Sequence, residues 1–135
     1  MHRRVNTLLQ LWFSKCILLF FSGWGKTKHP GKSVPILQQA TLKVVSNQLC
    51  RDANTKNLGV PITDRMICAG HGPKDRRSGC HGDSGGPFVC SSRDGRYTLH
   101  GDVSWGSERC DSKEGYSVFA RTTAFVDWLE LKMKQ

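Results

Sequence analysis

Ser78-Gly79-Cys80-His81-Gly82-Asp83-Ser84-Gly85-Gly86-Pro87 carries more information about this chain than any other ten residues. Glycine, serine and aspartate suit turns, so at the simplest level the stretch is a loop. Its order suggests chemistry as well. Ser84 is flanked by glycines, and the missing side chains let a carbonyl group come close to the backbone. Main-chain N–H groups in such a loop can hold a developing oxyanion. A Gly-x-Ser pattern alone would be weak evidence. Here the loop lies between Cys80 and Cys90, and Ser104-Trp105-Gly106 and Cys110 follow at a fitting distance.

Outward from this loop, short apolar runs alternate with turn residues every eight to twelve positions. The runs at 38–45, 66–69, 87–90, 97–105 and 117–121 read as strands, separated by turns at 29–31, 57–61, 71–79 and 93–95. That rhythm signals an all-β sandwich or barrel. The tail changes period. Thr122 or Thr123 can cap a helix in which Phe125, Trp128, Leu129 and Lys132 follow at helical spacing. With Ala124 and Leu131 they make a broad apolar stripe, expected to dock on the barrel. No internal repeat or low-complexity tract appears.

The 135 residues suit one compact domain or part of a larger one. A hydrophobic share of 38% with 14 Gly and 5 Pro excludes wholesale disorder and collagen-like repeats. Twenty Lys and Arg against eleven Asp and Glu give a net charge of +9. Lys26, Lys28, Lys32 and Lys74, Arg76, Arg77 are the densest basic groups. They read first as solvated loops and second as a possible contact for a polyanion; no nucleic acid is expected. Six cysteines stand at 16, 50, 68, 80, 90 and 110 with no C-x-x-C pair, which disfavours a structural metal. Their even number and wide spacing point to disulfides and a secreted, extracellular protein. Six cysteines allow about fifteen connectivities, and spacing alone does not choose among them.

Residues 1–22 differ from the rest and form a hydrophobic N-terminal segment distinct from the domain at 23–135. His2, Arg3 and Arg4 followed by the apolar run 16–21 look like a secretory signal. Asn6, Gln10, Ser14 and Lys15 interrupt the stretch that should be apolar, and Lys15 would be expensive in a membrane span. A core strand at 17–21 and a start foreign to the native protein are the alternatives.

The blocks quoted above, with their neighbours, resemble the chymotrypsin/trypsin family of serine endopeptidases. Gly82-Asp83-Ser84-Gly85-Gly86-Pro87 is similar, residue for residue, to the family's nucleophile loop. Gly23-Trp24-Gly25, Met66-Ile67-Cys68-Ala69-Gly70 and Val103-Ser104-Trp105-Gly106 resemble three further blocks in the family's order. Val118-Phe119-Ala120-Arg121 and the terminal helix complete a likeness over residues 23–135. The resemblance implies an all-β fold: a trypsin-like antiparallel β-barrel, the second of the family's two, with a C-terminal α-helix. It implies that Ser84 is the catalytic acylating nucleophile and that the N–H groups of Gly82 and Ser84 form the oxyanion hole. Ser104, Trp105 and Gly106 would pair with the substrate backbone as an extra strand. Ser78, Gly106 and Ser117 would shape the specificity pocket. Ser78 stands at its floor where trypsin-like enzymes carry Asp, and a neutral floor is similar to the branches that take apolar side chains. Ser117 stands where Gly is usual and narrows the slot. The implied disulfides are Cys50–Cys68, Cys80–Cys110 and Cys16–Cys90, although Cys16 stands further ahead of Trp24 than its family counterpart.

The chain also departs from the family. The first-barrel blocks that supply the catalytic His and Asp are absent from it, as is an Ile-Val-Gly-Gly-like start. The expectation is therefore half of a secreted serine endopeptidase, truncated and inactive alone, needing the missing first barrel and acting on a protein or peptide substrate. The alternative is a secreted, non-catalytic protease homologue that serves as a binding or scaffold module. No cofactor or metal is expected. Asp83 would lack the terminal ammonium that pairs with its family counterpart, so the loop should relax. His81 reads first as a pocket-rim side chain and only second as a general base. His100 and Asp102 share one face of a strand by period-two spacing.

Overall fold

The structure, a computed structural model, describes residues 16–73 and 75–135. Residues 1–15 of the N-terminal segment, and Lys74 of the basic group, lie outside the described residues. In chain order the strands are β1 (Cys16–Gly23), β2 (Gln38–Thr41), β3 (Val44–Val45), β4 (Met66–Ala69), β5 (Pro87–Ser92), β6 (Tyr97–Trp105) and β7 (Ser117–Arg121). The apolar segment is thus a strand from Cys16 onward, paired with β2 on one side and β5 on the other. All neighbours are antiparallel, and the sheet order is β2-β1-β5-β6-β7-β4-β3.

The outermost strands of that order, β2 and β3, are separated in sequence only by Leu42 and Lys43. The edges of a flat seven-stranded sheet would lie about 29 Å apart at normal strand spacing. Three Cα steps span at most about 11 Å. The sheet must therefore curl until its edges meet. Main-chain bonds carry the ladder across the joint: Leu42 N–H donates to Leu19 O at 3.0 Å and Gly70 N–H to Lys43 O at 2.9 Å. The run expected as one strand at 38–45 is continuous in sequence but divided in pairing. Its first half belongs to β1 and its second to β4.

Inward-facing residues fill the barrel: Phe21, Leu42, Ile67, Ala69, Phe88, Val103 and Phe119 are buried together. Phe88 and Phe119 stack with ring centroids 4.2 Å apart. A smaller cluster of Cys50, Ile62, Cys68 and Val118 lies under a helical excursion that the sequence pattern does not announce. The excursion runs through α1 (Asn47–Cys50), a π-helical turn (Arg51–Thr55) and α2 (Lys56–Leu58). Ser46 caps its start by accepting from Leu49 N–H at 3.1 Å. Gly59 ends it in the left-handed conformation.

Three disulfides are present: Cys16–Cys90 ties β1 to β5, Cys50–Cys68 ties α1 to β4, and Cys80–Cys110 joins two loops. Each is worth about 3–5 kcal/mol in the chain-entropy model. The tail forms a short 3-10 turn (Thr122–Ala124) and then α3 (Val126–Met133). Neither threonine caps α3 with its side chain, and none of its residues is buried. The expected docking of its apolar stripe is not formed, and Trp128 is 57% exposed. The stripe is also broken at its start: the 3-10 turn holds Ala124, and Phe125 takes non-helical angles, so these residues do not share a helical face with Trp128 and Leu131. Among the described residues no helix is long and apolar enough to cross a membrane.

Candidate active site around Ser84

Asp83 organises the loop before β5. Its side chain is buried, Oδ1 accepts from Gly25 N–H at 2.8 Å, and Oδ2 accepts from Cys80 N–H at 3.0 Å. The expectation of an unpartnered Asp83 therefore does not hold. Two main-chain donors occupy both carboxylate oxygens, and hydrogen bonds to an ionised acceptor are among the stronger ones. Gly23 and Gly25 are glycines for the same reason. A Cβ on either would lie 2.1 or 2.4 Å from Asp83 Oδ1. The Gly-Trp-Gly block is the socket of this carboxylate.

Gly82 and Gly85 adopt φ of +98° and +79°, conformations costly for any residue with a Cβ. These reversals sort the loop's N–H groups into two sets. Asp83 N–H donates to Cys80 O, Gly85 N–H to Val103 O and Gly86 N–H to Asp83 O. Among the described residues the N–H groups of Gly82 and Ser84 have no acceptor. Ser84 itself is exposed, and no described side chain bonds its hydroxyl.

Ser84 opens on a cleft of about 310 Å³ shared with His81, Ser104, Trp105, Gly106 and Ser117. Gly79 and Ser117 of its lining join a hydroxyl cluster that continues to Ser78, which itself does not line the cleft. Gly79 N–H donates to Ser117 Oγ at 3.0 Å, Ser117 and Ser78 Oγ are 3.2 Å apart, and Ser78 Oγ donates to Gly79 O at 2.9 Å. With Ser117 as the donor between the two serines, both hydroxyl protons are used among these groups, and the one carboxylate residue in the cleft lining, Glu108, is exposed. One wall comes from the end of β6. Val103 pairs with Phe119 and Trp105 with Val118, leaving Ser104 as the extra residue of a bulge. On the other side β5 starts at Pro87 opposite Asp102. Gly85 and Gly86 bond Val103, and beyond it β6 has no β5 residue in register.

The two candidate bases are not joined to Ser84. His81 Nε2 lies 3.0 Å from Glu108 O, a group that only accepts, so Nε2 carries the proton in that bond. The His81 ring packs against His29, with centroids 4.8 Å apart, a pairing the sequence did not signal. His100 is buried on β6 at the irregularity between β5 residues Phe88 and Val89, away from the cleft. Burial pushes its imidazole pKa down.

Two further hollows adjoin the site. One of about 380 Å³ lies beside Asp83, Gly25, Arg77 and Ser78. The Arg77 guanidinium there holds the Asp75 carboxyl at about 2. The other, of about 580 Å³, gathers Lys28, Arg76, Arg109 and Lys113 with Asp111 and Glu114. Arg76 pairs with Asp111 at 2.5 Å and keeps that carboxyl below the usual range.

The chain is 39% identical over 112 residues to proproteinase E of Bos taurus, covering 82% of this chain and 42% of that protein. It is equally 39% identical over 112 residues to chymotrypsin-like elastase family member 3B of Homo sapiens, covering 82% and 40%. The chain thus spans about two fifths of the length of these curated relatives. The sequence model named Trypsin matches residues 17–129, from β1 into α3 and across the whole Ser84 cleft, and by that match the chain belongs to the trypsin family.

Proposed function

We propose that this chain carries the acylating half of a serine endopeptidase site, with Ser84 as the nucleophile. Ser84 Oγ attacks the carbonyl carbon of a peptide bond while its proton passes to a base. The carbonyl oxygen, now negative, sits between the N–H groups of Gly82 and Ser84. Collapse expels the protonated amine and leaves an acyl-Ser84, which water hydrolyses. The observation that carries this reading is the loop's pattern of hydrogen bonds. From Gly82 to Gly86 the N–H groups of Asp83, Gly85 and Gly86 are donated internally, and the two left over, those of Gly82 and Ser84, lie beside an exposed hydroxyl. The open edge of β6 at Ser104, Trp105 and Gly106 would take the substrate backbone as an added strand.

The base is supplied by a first barrel, and the chain is inactive without it. Proteins or peptides are the substrates, and the three disulfides favour a secreted setting. A second reading, the non-catalytic binding module, has one observation in its favour: no described side chain bonds the Ser84 hydroxyl. Labelling of Ser84 by a fluorophosphonate, with and without a first barrel, separates the two.

The specificity pocket is read from the hydroxyl cluster of Ser78 and Ser117. A cationic side chain buried against those hydroxyls would find no carboxylate hydrogen-bonded to them, the lining residue Glu108 being exposed, and burying an unpaired ammonium is costly. A complex reconstituted with a family first barrel should cleave after apolar residues at least about tenfold faster than after Lys or Arg. Profiling on a peptide library checks this, and a dominant preference for Arg or Lys would sink the pocket assignment.

The basic loops make a polyanion contact at the 580 Å³ hollow, where Lys28 and Arg76 of separate loops meet Arg109 and Lys113. Sulfated glycan is the ligand class. Lys28→Glu with Lys113→Glu should elute from a heparin column at clearly lower salt than the unaltered chain. Unchanged elution would refute the assignment.

A further inference from the structure

We propose that Asn54 is a positioning residue for the Ser84 cleft, acting through Tyr116 on Ser117 and the hydroxyl cluster at the cleft base. The inference rests on the reading of that cleft as the pocket for a substrate side chain. Asn54 sits in the π-helical turn Arg51–Thr55 and is fully buried. Its Nδ2 donates to Tyr116 O at 2.9 Å, and its Oδ1 accepts from Tyr116 N–H at 2.7 Å. Both main-chain groups of one residue, 62 positions away, are thus held by one side chain. The amide has one orientation here, because the flipped form would set donor against donor and acceptor against acceptor.

The location gives this clasp its consequence. The β4–β7 ladder ends at the pair Ala69–Ser117, so Tyr116 lies one residue beyond it. The Asn54 amide takes the place of the next peptide group and extends the order of β7 by one residue. Gly115 fits against it so closely that a Cβ would lie 2.7 Å from Oδ1. The next residue is Ser117, whose Oγ accepts from Gly79 N–H and meets Ser78 Oγ. The chain of contacts therefore runs from the π-helical turn to Tyr116, then Ser117, then the cleft base. Widened helical turns of this kind are frequent at functional sites. A solvent-exposed Asn in a polar run would need no partner, whereas a buried amide left unpaired is costly, so the site has to be built around it.

The test uses the oxidised 135-residue chain and two variants, Asn54→Ala and Asn54→Asp. Exchange of the Gly79 amide hydrogen reports the cleft base, and Phe88 and Phe119 amides report the core. Indole binding, measured by titration, reports the pocket. Asn54→Ala should speed Gly79 exchange about tenfold relative to the unaltered chain and weaken indole binding by a similar factor, with core exchange unchanged. Asn54→Asp keeps the shape but changes the chemistry. At pH 8 its carboxylate faces the Tyr116 carbonyl, and the variant should behave like Asn54→Ala. At pH 4 a protonated carboxyl again offers one donor and one acceptor, and both readouts should return to within about threefold of the unaltered chain at that pH. A residue that merely fills space would show no such pH recovery. Gly79 exchange within twofold of the unaltered chain in both variants would overturn the positioning role. If the unaltered chain fails to bind indole, the pocket reading falls, and Gly79 exchange still decides the role of Asn54.

Discussion

Ser84 in the 135-residue chain should react with a fluorophosphonate at least about a thousandfold more slowly than in a complex that also contains a family first barrel. Among the described residues the N–H groups of Gly82 and Ser84 have no acceptor, and the loop that carries them is held by Asp83 from within the chain. What differs is the base. A serine hydroxyl without one is a weak nucleophile. His81 is held by Glu108 O, and His100 is buried elsewhere on β6. Time-resolved labelling followed by intact-mass measurement gives the rates, and Ser84→Ala supplies the blank. Equally rapid labelling of the chain alone would show that it contains its own base, and would send attention back to His81. Failure to label in the complex would favour the binding-module reading.

Removing the Asp83 carboxylate should be the most damaging single change outside the hydrophobic core. Asp83→Ala leaves Gly25 N–H and Cys80 N–H buried with no acceptor, at about 1–3 kcal/mol each. For a chain of this size that corresponds to a fall of about 10 °C in the melting midpoint. Gly25→Ala reaches the same end by another path, since its methyl carbon would overlap the space of all three carboxylate atoms. The double variant should lose little more than either single one, because both break one arrangement. Thermal unfolding with disulfides intact checks this. A midpoint for Asp83→Ala within about 2 °C of the unaltered chain would mean that other groups or water satisfy those donors.

Much of the barrel could be read from local pattern. The strands at 66–69, 97–105 and 117–121 have the bounds expected for them, because turn residues punctuate each clearly. β5 runs two residues past its expected end, since Ser91 and Ser92 carry no apolar signal yet pair with β1 and β6. The division of 38–45 could not be seen, because periodicity shows a strand and not its partners. The helical excursion at 47–58 is not legible in the sequence for a related reason. Its polar residues are justified by distant contacts: the Cys50–Cys68 bond and the clasp of Asn54 on Tyr116. The site divides in the same way. The Ser84 loop is legible because its geometry demands glycines at fixed positions. The partners of Asp83 are not, since main-chain donors leave no mark in a sequence. Their only trace is Gly23 and Gly25, two small residues whose emptiness is occupied by a third.

The arrangement of cross-links also has a consequence for the fate of a cut chain. Cys16–Cys90 and Cys80–Cys110 overlap, so every peptide bond from residue 16 to residue 110 lies inside at least one covalent loop. Bonds between Cys50 and Cys68, and between Cys80 and Cys90, lie inside two. The exposed Arg76 and Arg77 stand within the larger ring. A protease that cuts after either produces two polypeptides and still one molecule. Its mass would differ from that of the intact chain only by the water taken up, and the pieces would part only on reduction.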